Sequence, residues 1–264
     1  MVRYVAVRRV WELASYRTLV KYLVLKEIKA KSRGTVLGVV WTLMNPLLTI
    51  CVYFVTFQYI FRIAIPNFLA FFIIGFLMWV FFSRTLSAAA TCILENEALI
   101  KRAAFPLEVL PIGVLLYQLF HHAVALGIAV PLVLTLGGGQ LSWQVLWMVP
   151  VLLAFIGLAL GTALWLAPVG VFFRDTRDLL DVGLPMLFWA TPIFYSREMA
   201  PDFLRMVLAL NPLSSFIESM RGALLDAHGP SLSQLGLMVA WPAVTVVLGQ
   251  WIFTRYKSRL VEEA

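Results

Sequence analysis

Acidic residues are scarce in this chain: 14 Asp and Glu stand among 264 residues, against 21 Lys and Arg, and charged residues of both signs make up only 13%. A soluble domain carries about 25%, and here the few charges cluster between long uncharged runs. That pattern excludes a soluble enzyme, a disordered chain and a nucleic-acid module, although the net charge is +7. Cysteine is nearly absent. Cys51 and Cys92 lie in or beside apolar runs and are too few for a disulfide framework or a metal-ligand set. The first thirty-odd residues are basic throughout, which gives no expectation of a cleavable signal peptide. Nucleotide and catalytic signatures are missing too: there is no G-x-x-x-x-G-K-[ST] loop, no G-x-S-x-G elbow, no H-E-x-x-H and no D-x-D pair. If such a chain does vectorial work, its fuel is consumed by a different polypeptide.

What is present is apolar: 61% of the residues are hydrophobic. Six stretches reach or approach the roughly 20 residues that cross about 30 Å of hydrocarbon: 36–61, 67–93, 109–136, 145–173, 179–195 and 235–254. An all-α polytopic membrane protein is expected, its single transmembrane domain taking in residues 1–264. The second stretch weakens after Phe82, where Ser83, Arg84 and Thr85 interrupt it. The fifth is short and holds Pro185 and Pro192, which predicts a kinked or broken helix. Of the 21 Lys and Arg, 17 fall on the side of the two termini and 4 on the other. The positive-inside rule therefore puts both termini in the cytoplasm.

No Asp or Glu occupies the apolar centre of a span, which counts against a proton- or sodium-coupled carrier, since such carriers need a buried relay. His121 and His122 lie midway along the third span. Neighbours on a helix point about 100° apart, so the two cannot jointly hold a metal; a lipid-side or interhelical hydrogen-bonding pair is expected, with the lining of a polar path as the alternative. Arg84, some 17 residues down its span, reads as an interfacial anchor with a snorkelling stem, the alternative being a substrate-facing role.

Residues 16–33 read as a basic amphipathic helix on the inner surface, with Leu19, Val20, Leu23, Val24 and Ile28 opposite Lys26, Lys29 and Arg33. In the connection 94–106, Glu95 and Glu97 come first and Lys101 and Arg102 last, an order that suits a helix dipole. Its apolar Leu99, Ile100 and Phe105 either meet a partner or pack back on the chain. Two apolar stretches too short to span, 202–210 and 215–225, are separated by Asn211-Pro212, and Ser215 with Glu218 reads as a capping box. In FFRDTRDLLD, Arg174 and Asp178, and Arg177 and Asp181, stand one turn apart, as a structural clamp or at a substrate entrance.

Five segments in order carry a resemblance: RGTVLGVVWTLMNPLL (Arg33 to Leu48), NEALIKRAAFP (Asn96 to Pro106), FFRD (Phe172 to Asp175), TPIFY (Thr191 to Tyr195) and NPLSSFIESMR (Asn211 to Arg221). Together they resemble the permease subunit of ABC polysaccharide exporters of the O-antigen (Wzm) and teichoic acid (TagG) type, over roughly residues 16–225. The resemblance implies six spans per subunit, a second copy of the chain, and two copies of a cytoplasmic ABC ATPase. ATP and Mg would belong to that ATPase, with no cofactor in this chain. It implies a coupling helix over about 95–105, with Glu95, Asn96, Leu99, Ile100, Lys101 and Phe105 as its contacts. Outer gate helices would cover about 202–210 and 215–225 and carry Asn211, Pro212, Glu218 and Arg221.

The conduit would run between the subunits along the first and fifth spans, and several aromatics sit there: Trp41, Tyr53, Phe57, Phe188, Trp189, Phe194 and Tyr195. Aromatic faces suit the apolar faces of sugar rings, while the competing reading of each is an interfacial belt. Arg33, Arg174 and Asp175 would admit the substrate at the inner rim. The expected function is export of a lipid-linked polysaccharide, O-antigen first, across a bacterial inner membrane, with membrane lipid as the other neighbour and no nucleic acid. The rivals are a permease of the same class for a drug, haem or another lipid, a polyprenyl-lipid-dependent glycosyl- or phosphotransferase, and a passive channel.

Overall fold

The computed structural model describes residues 15–32, 40–103, 105–135, 138–139 and 142–263, and no strand occurs among them. A basic helix, α1 (Arg17–Ser32), comes first. α2 (Val40–Val55) continues into a π-helical turn, Thr56–Ile60. α3 (Phe68–Thr91) is followed by a 3-10 turn, Leu94–Asn96, and by the single-turn α4 (Glu97–Ile100). α5 (Val109–Thr135) precedes a 3-10 turn, Trp143–Trp147, that leads into α6 (Met148–Phe172). The remaining helices are α7 (Thr176–Trp189), α8 (Asp202–Leu210), α9 (Pro212–Leu224) and α10 (Leu232–Glu263).

Four helical segments among the described residues are long and apolar enough to cross a membrane: α3, α5, Trp143–Phe172 and Leu232–Tyr256. The chain is a multi-pass membrane protein. The other two expected spans are shorter. The described apolar part of α2 and its π turn is Met44–Ile60, and α7 has 14 residues. Pro185 sits inside α7 without ending it. The helix stops at Trp189, ahead of Thr191, whose position before Pro192 disfavours helical backbone. The connection expected as one helix over 95–105 is instead a 3-10 turn and the four residues of α4.

Apolar surface does not drive helices together inside lipid, so close approach over small residues carries much of the packing. α6 lies against α10 so tightly that a Cβ on Gly161 would fall 2.3 Å from Thr245 Oγ1. α6 also meets α3, where a Cβ on Gly170 would come within 1.8 Å of the Ala90 carbonyl oxygen. The main core gathers Phe72, Met78, Phe155, Ile193 and Phe216 from α3, α6, α9 and the segment after α7. A second cluster, at the α1 end, joins Leu23, Ile93, Ile100, Leu110, Leu164 and Phe253.

The capping box read at Ser215 is not formed. α9 begins earlier, with Pro212 in its first turn and Asn211 as the cap, whose Oδ1 accepts from the Leu213 amide at 3.0 Å. Proline there gives up an N–H that has no helical partner in any case. Ser215 therefore lies within the helix, buried.

Candidate functional site

α2, α3 and α7 stand around a groove of about 820 Å³. Asn45, Thr49 and Tyr53 of α2 face it, and so do Phe76, Trp79, Ser83 and Arg84 of α3 and Leu184, Phe188 and Trp189 of α7. Gln118 of α5 closes the back. On α3 the sequence Phe76, Trp79, Ser83, Ser87 repeats at three- and four-residue spacing, so a single helix face supplies that wall.

Six of the seven expected conduit aromatics lie together. Tyr53 stacks on Phe188 at 6.1 Å and meets the edges of Phe72 and Phe76 at 5.8 and 6.1 Å. Phe57 lies parallel to Phe194 at 4.8 Å, with 5° between the planes, and Trp189 packs against Phe194 at 4.8 Å. Tyr195 touches Phe194 at 5.0 Å and donates its hydroxyl to the Trp189 carbonyl at 3.1 Å. Only Tyr53, Phe188 and Trp189 of this set face the groove. Phe57 is buried and stiffens the wall from behind. The side chain of Trp41, at the start of α2, lies outside the described residues, as does Arg33. The α3 aromatics Phe76 and Trp79, which the sequence reading passed over, complete the surface, and the 5.4 Å contact of Trp79 with Phe188 joins the two helices.

Arg84, expected as an interfacial anchor or as a substrate-facing residue, sits on α3. It lines the groove, and among the described residues it has no hydrogen bond or ion pair. His121 and His122 are both buried. His121 Nδ1 lies 2.9 Å from the Tyr117 carbonyl one turn back in α5. The His122 ring packs 4.8 Å from Phe81 and its Nε2 has no hydrogen-bond partner. His122 is thus a packing residue and not half of the expected hydrogen-bonding pair.

Toward the α1 end the groove leads to a second cavity of about 270 Å³, which shares Ser87, Ala88, Leu180 and Asp181 with the first and adds Thr91, Glu95 and Arg177. Arg174 and Asp175 are exposed at the head of α7 and line neither cavity. The bridges from Arg174 to Asp178 and from Arg177 to Asp181 do not form among the described residues. Arg174 precedes the helix, so no helical turn brings it over Asp178, and base before acid is the weaker order for such a pair.

The segment around α4 borders the α1 end. Asn96 bonds at both ends of its amide: Lys26 Nζ donates to Oδ1 at 2.9 Å, and Nδ2 donates to the Cys92 carbonyl at 2.8 Å. Glu97 pairs with Lys101. Ile100 is buried in the cluster with Leu23, and Leu99 and Phe105 pack against it. All three pack back on the chain, Ile100 fully and Leu99 and Phe105 in part. Glu95 and Lys101 are the exposed members of the expected contact set.

At the opposite end, α8 and α9 are locked to the segment after α7. Asn211 Nδ2 donates to the Ala190 carbonyl at 3.1 Å and to Thr191 Oγ1 at 2.8 Å. Arg221, 4% exposed, donates Nε to the Phe71 carbonyl at 3.0 Å, Nη1 to Pro192 at 2.6 Å and Nη2 to Ile193 at 2.7 Å. Burial pulls its pKa down to about 9, which leaves it charged at neutral pH. Glu218 Oε2 lies 4.0 Å from Arg197 and accepts from Gln234 Nε2 at 3.3 Å, while its buried Oε1 is without a partner. Burial raises the Glu218 pKa against the opposing pull of Arg197. No group of three or more His, Cys, Asp or Glu that could hold a metal occurs among the described residues.

Residues 18–225 of this bundle of membrane helices match the ABC-2 type transporter family. The chain belongs to that family. It is 34% identical over 263 residues to the O-antigen export system permease protein RfbA of Myxococcus xanthus, covering 98% of both chains. It is 26% identical over 239 residues to the O-antigen export system permease protein RfbA of Klebsiella pneumoniae, covering 90% of this chain and 91% of that one. With the polysialic acid transport protein KpsM of Escherichia coli it shares 24% over 258 residues, 92% of this chain and 96% of the other. The chain is accordingly a transport component and not an enzyme, and its family implies an ATPase partner.

Proposed function

We propose that this chain is the transmembrane subunit of an ATP-driven exporter that carries a lipid-linked polysaccharide of the O-antigen kind from cytoplasm to periplasm. The observation that carries the reading is the groove. It is walled by Tyr53, Phe76, Trp79, Phe188 and Trp189 and leads at one end into the charged cavity beside Glu95 and Arg177. Aromatic walls hold sugar rings by their apolar faces without selecting one hydrogen-bonding pattern, as a conduit for a long repeating glycan requires. The permeases named for O-antigen export, similar over nearly the whole chain, support the same cargo.

On this reading α2 and α7 join the four long helices to make six spans. The α1 end and both termini face the cytoplasm of a bacterial inner membrane, as the 17-to-4 distribution of Lys and Arg favours. A second copy of the chain closes the groove. Two cytoplasmic ATPase subunits hold ATP and Mg and push on the segment around α4 through Glu95 and Lys101. Arg177, which faces the inner cavity, is better placed than Arg174 or Asp175 to meet incoming cargo. α8 and α9, held by Asn211 and Arg221, act as the outer gate.

The test is surface glycan in cells whose only copy of this chain carries Trp79→Ala with Tyr53→Ala. The expected result is lipid-linked glycan retained inside, with ATPase co-purification at the parental yield. Full surface glycan in that double variant would contradict the groove as conduit.

A further inference from the structure

We propose that Arg84 is the anion seat of the groove, binding a phosphate or diphosphate group at its inner third. The inference rests on the export reading above and adds the chemistry by which the groove takes hold of its cargo.

An ionisable side chain within a membrane helix is costly and is retained where it meets a partner or a substrate path. Arg84 is seven residues from the end of α3, about 10 Å along the axis at 1.5 Å per residue. It lines the large groove, yet no hydrogen bond or ion pair among the described residues uses its guanidinium. The contrast with Arg221 is instructive. That buried guanidinium spends its donors on three backbone carbonyls, whereas Arg84 keeps its own free.

The carboxylate facing the same groove is Asp181 of α7. It also lines the inner cavity, which Arg84 does not, and it shares that cavity with Ser87 and Ala88, one turn nearer the α1 end. An anion arriving from that end passes Arg177 and Asp181 before it reaches Arg84. Beyond Arg84 the wall turns aromatic, with Trp79, Phe76, Tyr53 and Phe188. Ser87, Asn45 and Gln118 add polar side chains to the same groove, while the Ser83 hydroxyl is donated to the Trp79 carbonyl at 2.8 Å. The order along the groove is therefore acid, cation, aromatic.

A planar guanidinium with unused N–H groups matches phosphate oxygens in pairs, and removal from bulk water strengthens that attraction. A phosphate held at Arg84 places whatever it carries on its far side against Trp79 and Tyr53. A sugar phosphate or sugar diphosphate on a lipid fits both halves of this arrangement, the anion below and the ring above. A neutral amphiphile fits only the second.

The experiment uses the full chain in phosphatidylcholine nanodiscs and measures binding of radiolabelled farnesyl diphosphate, with farnesol as the uncharged counterpart. Arg84→Gln is expected to weaken farnesyl diphosphate binding about tenfold or more, and Arg84→Lys to keep most of it, while farnesol binding stays the same in all three proteins. Monodisperse elution and parental thermal unfolding of the variants confirm their fold. Competition separates the sources of the anion. Displacement of the probe by inorganic diphosphate at equal concentration assigns a site for free anions, and failure to displace assigns a lipid-borne one.

Parental affinity of Arg84→Gln for farnesyl diphosphate would overturn the proposal. So would equal thermal destabilisation by Arg84→Gln and Asp181→Asn with no further loss in the double variant, because that pattern marks an internal ion pair. Either failure concerns binding to the purified chain and leaves the export reading to the surface-glycan test.

Discussion

The guanidinium of Arg221 lies 3.3 Å above the centre of the Phe71 ring while its Nε donates to the Phe71 carbonyl. One residue of α9 thus holds α3 by ring and backbone at once, and its other two bonds hold the segment after α7. Gly75, one turn along α3, leaves the space: a Cβ there would fall 2.6 Å from Arg221 Nη2. Arg221→Ala leaves three carbonyls without their donor and is expected to cost about 3 kcal/mol or more in stability. Arg221→Lys cannot reproduce the fork, and Gly75→Ala is expected to weaken the same joint. Thermal unfolding of the purified variants reads this directly. A parental midpoint for Arg221→Ala would contradict the role.

The segment around α4 divides into a face that packs on the chain and an exposed face. Ile100→Asp puts a carboxylate into the apolar cluster around Leu23 and Phe253 and is expected to lower folded yield before any partner is involved. Glu95→Lys with Lys101→Glu reverses exposed charge and gives up the exposed Lys101–Glu97 pair, which is worth little in water. It is expected to reduce co-purification of the ATPase severalfold while thermal unfolding stays parental. Parental ATPase recovery from that double reversal would remove Glu95 and Lys101 from the contact.

Glu218 is expected to make the end of the molecule at α8 and α9 sensitive to pH. Burial raises its pKa above the ordinary carboxylate value, so the folded state favours the protonated form. The stability it contributes is fully present below the ordinary glutamate pKa and is lost as pH rises through the raised one. Arg197 and Gln234 face the carboxylate, with Arg221 and Glu198 also close enough to act on it. The expected result is a higher unfolding midpoint at pH 5 than at pH 7.5, with part of that difference removed in Glu218→Gln. An equal pH dependence in the parent and Glu218→Gln would contradict it.

Composition and charge placement made the class of this molecule legible, because lipid tolerates only long apolar helices and membranes sort Lys and Arg by side. The long helices α3, α5 and α6 could be read from uncharged runs alone. α7 was harder, since apolar content continues past Trp189 into Thr191–Tyr195 while helical backbone is disfavoured before Pro192. The aromatic wall was half legible. Tyr53, Phe188 and Trp189 lie on the helices expected to line a conduit, whereas Phe76 and Trp79 on the same face of α3 as Arg84 were not singled out. Their spacing was visible, yet in a helix apolar all round, periodicity does not say which face meets a cavity. The partners of Arg221 were not legible at all. They are backbone carbonyls, one of them 150 residues away in sequence, and a carbonyl leaves no mark on composition.

The central claim is that this chain supplies a passage driven by another polypeptide. Its most direct test is uptake of lipid-linked glycan into proteoliposomes holding the purified chain, with and without its ATPase and ATP. The account predicts uptake against a gradient only when both are present, and its loss when the ATPase is omitted. Uphill movement of glycan by the chain alone would contradict it.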